Sequence, residues 1–176
     1  MRTILSPLVV AILLVCFGFV AEPAAQTSDP AEGFYRLTRA APAAFKRGEI
    51  AKAKSLAESL LVEAENWRDD WNYGNAIHVG NLVLGRIALA AGDMDAARKF
   101  LLAAGRTPGS PQLKSFGPDM LFAREMIAKG ETETVIAYFN LCAEFWKMSD
   151  GRLEHWKAAV TNGDDPDFGP NIRYHF

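Results

Sequence analysis

The sequence predicts an all-α fold, and three observations carry that reading. From about residue 29 to residue 162 the apolar residues recur three and four positions apart, the spacing of one helix face, while alternating runs stay too short for a strand. Gly48, Gly92 and Gly130 each close one amphipathic stretch and open the next. Glycine relieves the left-handed turn that other residues resist at a helix end. An acid follows every time (Glu49, Asp93, Glu131), at the start of the next helix, where the helix dipole favours negative charge.

The chain of 176 residues is long enough for one domain with its own core. Its net charge of −2 supplies no field for nucleic acid or an anionic membrane, and it has neither a basic run nor an acidic tail. Residues 1–21 are a different material: Arg2, an apolar stretch over 4–21, then the small residues Ala21, Ala24 and Ala25. This is the pattern of a secretory signal peptide, cut after Ala21 or Ala25. The alternatives are an uncleaved membrane anchor over 4–21, a lipoprotein modified at Cys16, and a buried first helix. The stretch is slightly short for the ~20 apolar residues that span a bilayer. Bulky Val15 precedes Cys16, and a domain helix would need a polar stripe. Cleavage after Ala21 leaves 18 basic and 21 acidic residues and the single Cys142, which excludes an intramolecular disulfide.

Residues 22–28 form a flexible leader. The domain then runs over 29–163, opening at Asp29-Pro30-Ala31-Glu32, where Asp29 caps, Pro30 suits the first helical position and Glu32 completes a capping box. Around the glycines the residues align. Five positions after them stand Ala53, Ala97 and Val135; nine after, Ala57, Leu101 and Phe139; twelve after, Leu60, Ala104 and Cys142. Leu84-Gly85 and Phe122-Ala123 stand seven to eight positions before the second and third glycines. Small residues there let paired helices approach, and large ones fill the gap. Asp150-Gly151-Arg152 opens a last helix ending near Asn162-Gly163, whose Leu153, Trp156 and Val160 can cover the final hairpin. The tail over 164–176 is too proline-rich for a helix and too aromatic for free disorder, so it packs back on the domain.

The large-small pairs, turn glycines and small-large-small series resemble the tetratricopeptide repeat, best in Leu84-Gly85, Ala88, Gly92, Ala97, Leu101 and Ala104. The resemblance covers roughly residues 32–146 and implies antiparallel hairpins in a short α-solenoid; with the C-terminal capping helix about seven helices are expected, followed by the irregular tail. The chain departs from the family in three ways. Asn81 replaces the signature Trp, and Ala40-Ala41 replaces the first large-small pair. The glycines lie 44 and 38 residues apart, against a family period of about 34. The surplus falls in two inserts, over 67–75 and 107–112.

Chemical motifs are sparse. His78, His155 and His175 lack ligand spacing and Cys142 has no nearby cysteine, so no metal or cofactor is expected. Asp164, Asp165 and Asp167 lack the calcium-loop glycine and glutamate and read as a solvated turn. Cys142 occupies a packing position, not a nucleophile's. Residues 105–110 lack the Gly-Lys ending of a phosphate loop. Glu63 with Glu65, and Glu131 with Glu133, read as solvated faces rather than acid/base pairs.

The resemblance places Arg86 and Arg124 on adjacent first helices, where the family lines a concave groove. Two guanidiniums there can fork onto a carboxylate or phosphate, and the alternative is that each makes an interhelical ion pair. His78 and Asn81 share the helix of Arg86, and Trp71 and Tyr73 in the first insert are not forced inward by periodicity. Trp67 lies in the same insert, and two Phe-Gly-Pro segments, at 116–118 and 168–170, suggest docked aromatic turns. The expected function is an exported, non-enzymatic scaffold binding a peptide or protein in the cell envelope. The rival is a small-molecule or enzymatic site built from His78, Asn81, Arg86 and Arg124 with the Trp71–Tyr73 insert as a lid. That rival requires a deep closed pocket. A self-associating structural protein is the third reading.

Overall fold

The computed structural model describes residues 30–172. The leader, Cys16, the expected cap Asp29 and residues 173–176, His175 among them, lie outside the described residues. The fold is all-α. Eight helices form, and no strand occurs among the described residues: α1 (Pro30–Lys46), α2 (Ile50–Ala64), α3 (Tyr73–Ala90), α4 (Met94–Gly105), α5 (Pro111–Phe116), α6 (Leu121–Ile127), α7 (Thr132–Phe145) and α8 (Arg152–Asn162). Short 3-10 turns lie at Glu65–Trp67 and Gly169–Ile172.

Gly48, Gly92 and Gly130 have φ of 75°, 79° and 82°, the left-handed region. At each turn the N–H of the following acid reaches back five residues: Glu49 to the Ala44 carbonyl at 3.0 Å, Asp93 to Ala88 at 2.9 Å, Glu131 to Met126 at 3.1 Å. This closes the orphan carbonyls at a helix end. Gly163 repeats the turn, with φ of 81° and Asp164 N–H donating to the Ala159 carbonyl at 2.9 Å. The chain reverses at the three hinges, so α1 packs on α2, α3 on α4 and α6 on α7. Neighbouring pairs join through α2 against α3 and α4 against α7, and α8 covers α7.

The acids after the glycines do not act alike. Asp93 caps α4 by accepting the Ala96 N–H at 3.0 Å. Glu49 and Glu131 make no cap bond. Their longer side chains turn instead to arginines, Glu49 to Arg47 and Glu131 to Arg98.

The small residues act by close approach. A Cβ on Gly85 would lie 2.3 Å from the Phe122 ring and 3.0 Å from Phe100 Cβ, so Gly85 is the seat that lets α6 approach α3. Gly80 does the same for Leu61 of α2, at 2.8 Å. Buried side chains form three clusters. One gathers Phe34, Leu60, Ala64, Ala76 and Val79; a second is mostly alanine from α1 and α2 with Val83 and Leu84; the largest runs from Leu82 and Leu101 through Phe122, Tyr138 and Trp146 to Phe168.

Both inserts differ from the expectation. Tyr73 already belongs to α3 and packs on the first cluster, so the first insert ends at Asn72. The second insert leads into the extra helix α5, which Ser110 caps by accepting the Leu113 N–H at 3.0 Å. The insert also seats itself on α3: a Cβ on Gly74 would meet the Gly109 carbonyl oxygen at 1.8 Å.

Residues 164–172 turn back onto the helices. Phe168 is buried with its ring centroid 5.0 Å from Trp156 and 6.1 Å from Phe139. Trp156 Nε1 donates to the Asp167 carbonyl at 2.9 Å. Asn171 Nδ2 donates to the carbonyls of Phe116 and Pro118, both at 3.0 Å, and the Asn171 carbonyl accepts the Met120 N–H at 2.8 Å. The two Phe-Gly-Pro segments are thereby tied to one another.

Candidate functional site

The six residues singled out in the sequence separate into interior, interhelical and exposed groups. His78 is interior. Its Nδ1 lies 3.1 Å from the Ala104 carbonyl oxygen, which can only accept, so Nδ1 carries the proton. Burial lowers its pKa to about 4, with a smaller opposing effect from that bond. Asn81 is also buried and donates to the Ile77 carbonyl one turn back at 2.7 Å. Neither side chain is presented to a groove, because both are buried among the helices.

Arg86 is interhelical. Its Nε and an Nη donate to Glu125 of α6 at 2.8 and 2.7 Å, and its guanidinium lies 4.7 Å from the centroid of Phe45 in α1. One side chain therefore ties three hairpins together. The sequence left two readings for Arg86, a groove shared with Arg124 or an interhelical ion pair, and the second is what forms. The structure gives Arg86 to Glu125, the neighbour of Arg124, because a carboxylate within forked reach competes for the same bonds. Arg98 repeats the device on Glu131 at 2.7 and 2.6 Å. Arg124 itself is exposed and lines an open cleft with Asp164 and Asp165.

Trp71 is the exposed member that the fold fixes in place. Its indole is 49% exposed, yet Nε1 donates to the Tyr35 hydroxyl at 3.1 Å, and the two ring centroids lie 5.3 Å apart. The Tyr35 hydroxyl donates to Asp70 at 2.8 Å, and Asp70 also accepts the Asn72 N–H at 2.7 Å. Asn72 continues to Thr38 at 2.9 Å, Asn75 to Asn72 at 3.0 Å, and Ser110 to Asn75 at 2.6 Å. A chain of polar side chains thus runs from α1 across the first insert to the second, with Trp71 standing on it. Tyr73, expected beside Trp71 as part of a lid, faces the core instead. Tyr35, Asp70, Asn72, Asn75 and Ser110 were missed in the sequence. For the last four the one signal was the density of short polar residues in the inserts; Tyr35, on α1, left none.

The interior also accounts for the most displaced titrations. Burial pushes the Tyr138 hydroxyl and the Cys142 thiol above their usual ranges. Among the described residues no group of His, Cys, Asp and Glu is placed to hold a metal, and no described helix is long and apolar enough to cross a membrane. Compared with known proteins, the chain matches no family model, no curated protein and no solved structure.

Proposed function

We propose that the protein is an exported scaffold that binds a peptide or protein partner in the cell envelope, its three hairpins forming a short tetratricopeptide-like solenoid. The observation that carries the binding reading is Trp71. A half-exposed indole held by Tyr35, which is itself held by Asp70, is a pre-organised apolar anchor. Tryptophans of this kind dominate interface energetics, and fixing them beforehand removes part of the entropy loss on binding. The clefts at Arg124 and beside α1 and α2 are open, which suits a chain laid across a surface better than an enclosed metabolite. The export part of the proposal rests on residues 1–21 of the sequence.

Affinity capture from envelope extract tests the reading. Wild type should retain a discrete protein partner, and Trp71→Ala should weaken it by ~2 kcal/mol or more. Capture unaffected by that substitution, or tight retention of a metabolite with no protein, contradicts it.

A further inference from the structure

Arg124 of α6 and Asp164 and Asp165, just beyond α8, line one open cleft of about 520 Å³. All three side chains are exposed, and no ion pair joins the arginine to either aspartate. Arg86 and Arg98, by contrast, each grip a glutamate with two bonds. Glu125, next to Arg124 in sequence, is engaged by Arg86. Ile127 and Ala128 give the cleft an apolar wall, and Gly163 leaves its rim without a side chain.

Opposite charges held on one cleft without closing on each other set the chemistry of an occupant. A simple anion drawn to Arg124 meets the repulsion of two aspartates, and a simple cation meets the guanidinium. A ligand carrying both charges, joined by a short aliphatic stem, meets neither. We infer that this cleft binds the C-terminal residue of a peptide when that residue is lysine or arginine. The free carboxylate takes the Arg124 fork, the stem lies over Ile127 and Ala128, and the basic head reaches Asp164 and Asp165. The inference rests on the scaffold reading and adds a contact separate from Trp71.

NMR titration of the protein with three peptides tests it: acetyl-Ala-Ala-Lys with a free carboxylate, the same peptide as its amide, and acetyl-Ala-Ala-Ala. The lysine acid should shift the Gly163 amide and the Arg124 Nε–H saturably, and each of the other two should bind at least about tenfold more weakly. Arg124→Gln, and separately Asp164→Asn with Asp165→Asn, should remove the response while the rest of the spectrum stays unchanged. Equal binding of the three peptides, equal binding of free lysine, or silence at Gly163 overturns the inference. A partner captured through Trp71 with Gly163 silent removes the cleft alone; a Gly163 response without capture removes the Trp71 surface alone.

Discussion

His78 sits against the Ala104 carbonyl with its Nε2 sealed from water and without a partner. Its pKa falls from an ordinary 6.5 to about 4, so the unfolded chain takes up the proton first. Stability is full above about pH 6.5 and is lost as pH falls toward 4, by about 3 kcal/mol in all. Urea unfolding compared at pH 7 and pH 4.5 should show the loss, and His78→Gln should flatten it; an unchanged wild-type midpoint over that window would remove the effect. Cys142 follows the same logic without a pH readout. Its thiol is buried and its pKa raised, so it should resist alkylation in the native protein and react only on unfolding, as peptide mass analysis can show. The packing role of Cys142 was legible because it fell at a small-residue position of the repeat alignment. The burial of His78 was not, because one histidine on a helix does not reveal which face the neighbouring helix covers.

Among the elements, glycines serve two purposes that a substitution series should separate. Gly92 has open space around it and a positive φ, so Gly92→Ala should cost about 1–2 kcal/mol from backbone conformation alone. Gly85 has ordinary helical geometry and the Phe122 ring against it, so Gly85→Ala should destabilise by about 1–3 kcal/mol despite the better helix propensity of alanine. Adding Phe122→Leu should recover part of the Gly85→Ala loss and none of the Gly92→Ala loss in thermal unfolding. A double-mutant cycle on Arg86 and Glu125 should give a coupling of about 1–2 kcal/mol, and a value near zero would demote the pair to a surface contact. Helix ends at the glycines were readable because the hinge chemistry is local. Helix α5 was not, since six residues capped by Ser110 carry too little periodicity to stand out from a connector. The partner of Arg86 was equally hidden, because it comes from a helix 39 residues away.

At the scale of the whole molecule, the helical class was legible from periodicity and three hinges, whereas the surface was not. The inserts are held to the helices by bonds between polar side chains and the tail by side chains donating to backbone carbonyls, and such pairings leave no regular spacing. The candidate surface consequently moves from a groove of paired arginines to Trp71 on its polar chain, with Arg124 apart. The most direct measurement is photocrosslinking in the cell envelope from a reactive residue placed at position 71, with position 148 as control. Met148 is 60% exposed, so it tests exposure without the fixed aromatic setting. The account predicts a discrete protein adduct from position 71 and none from position 148. No adduct from position 71, or the same adducts from both positions, would contradict it.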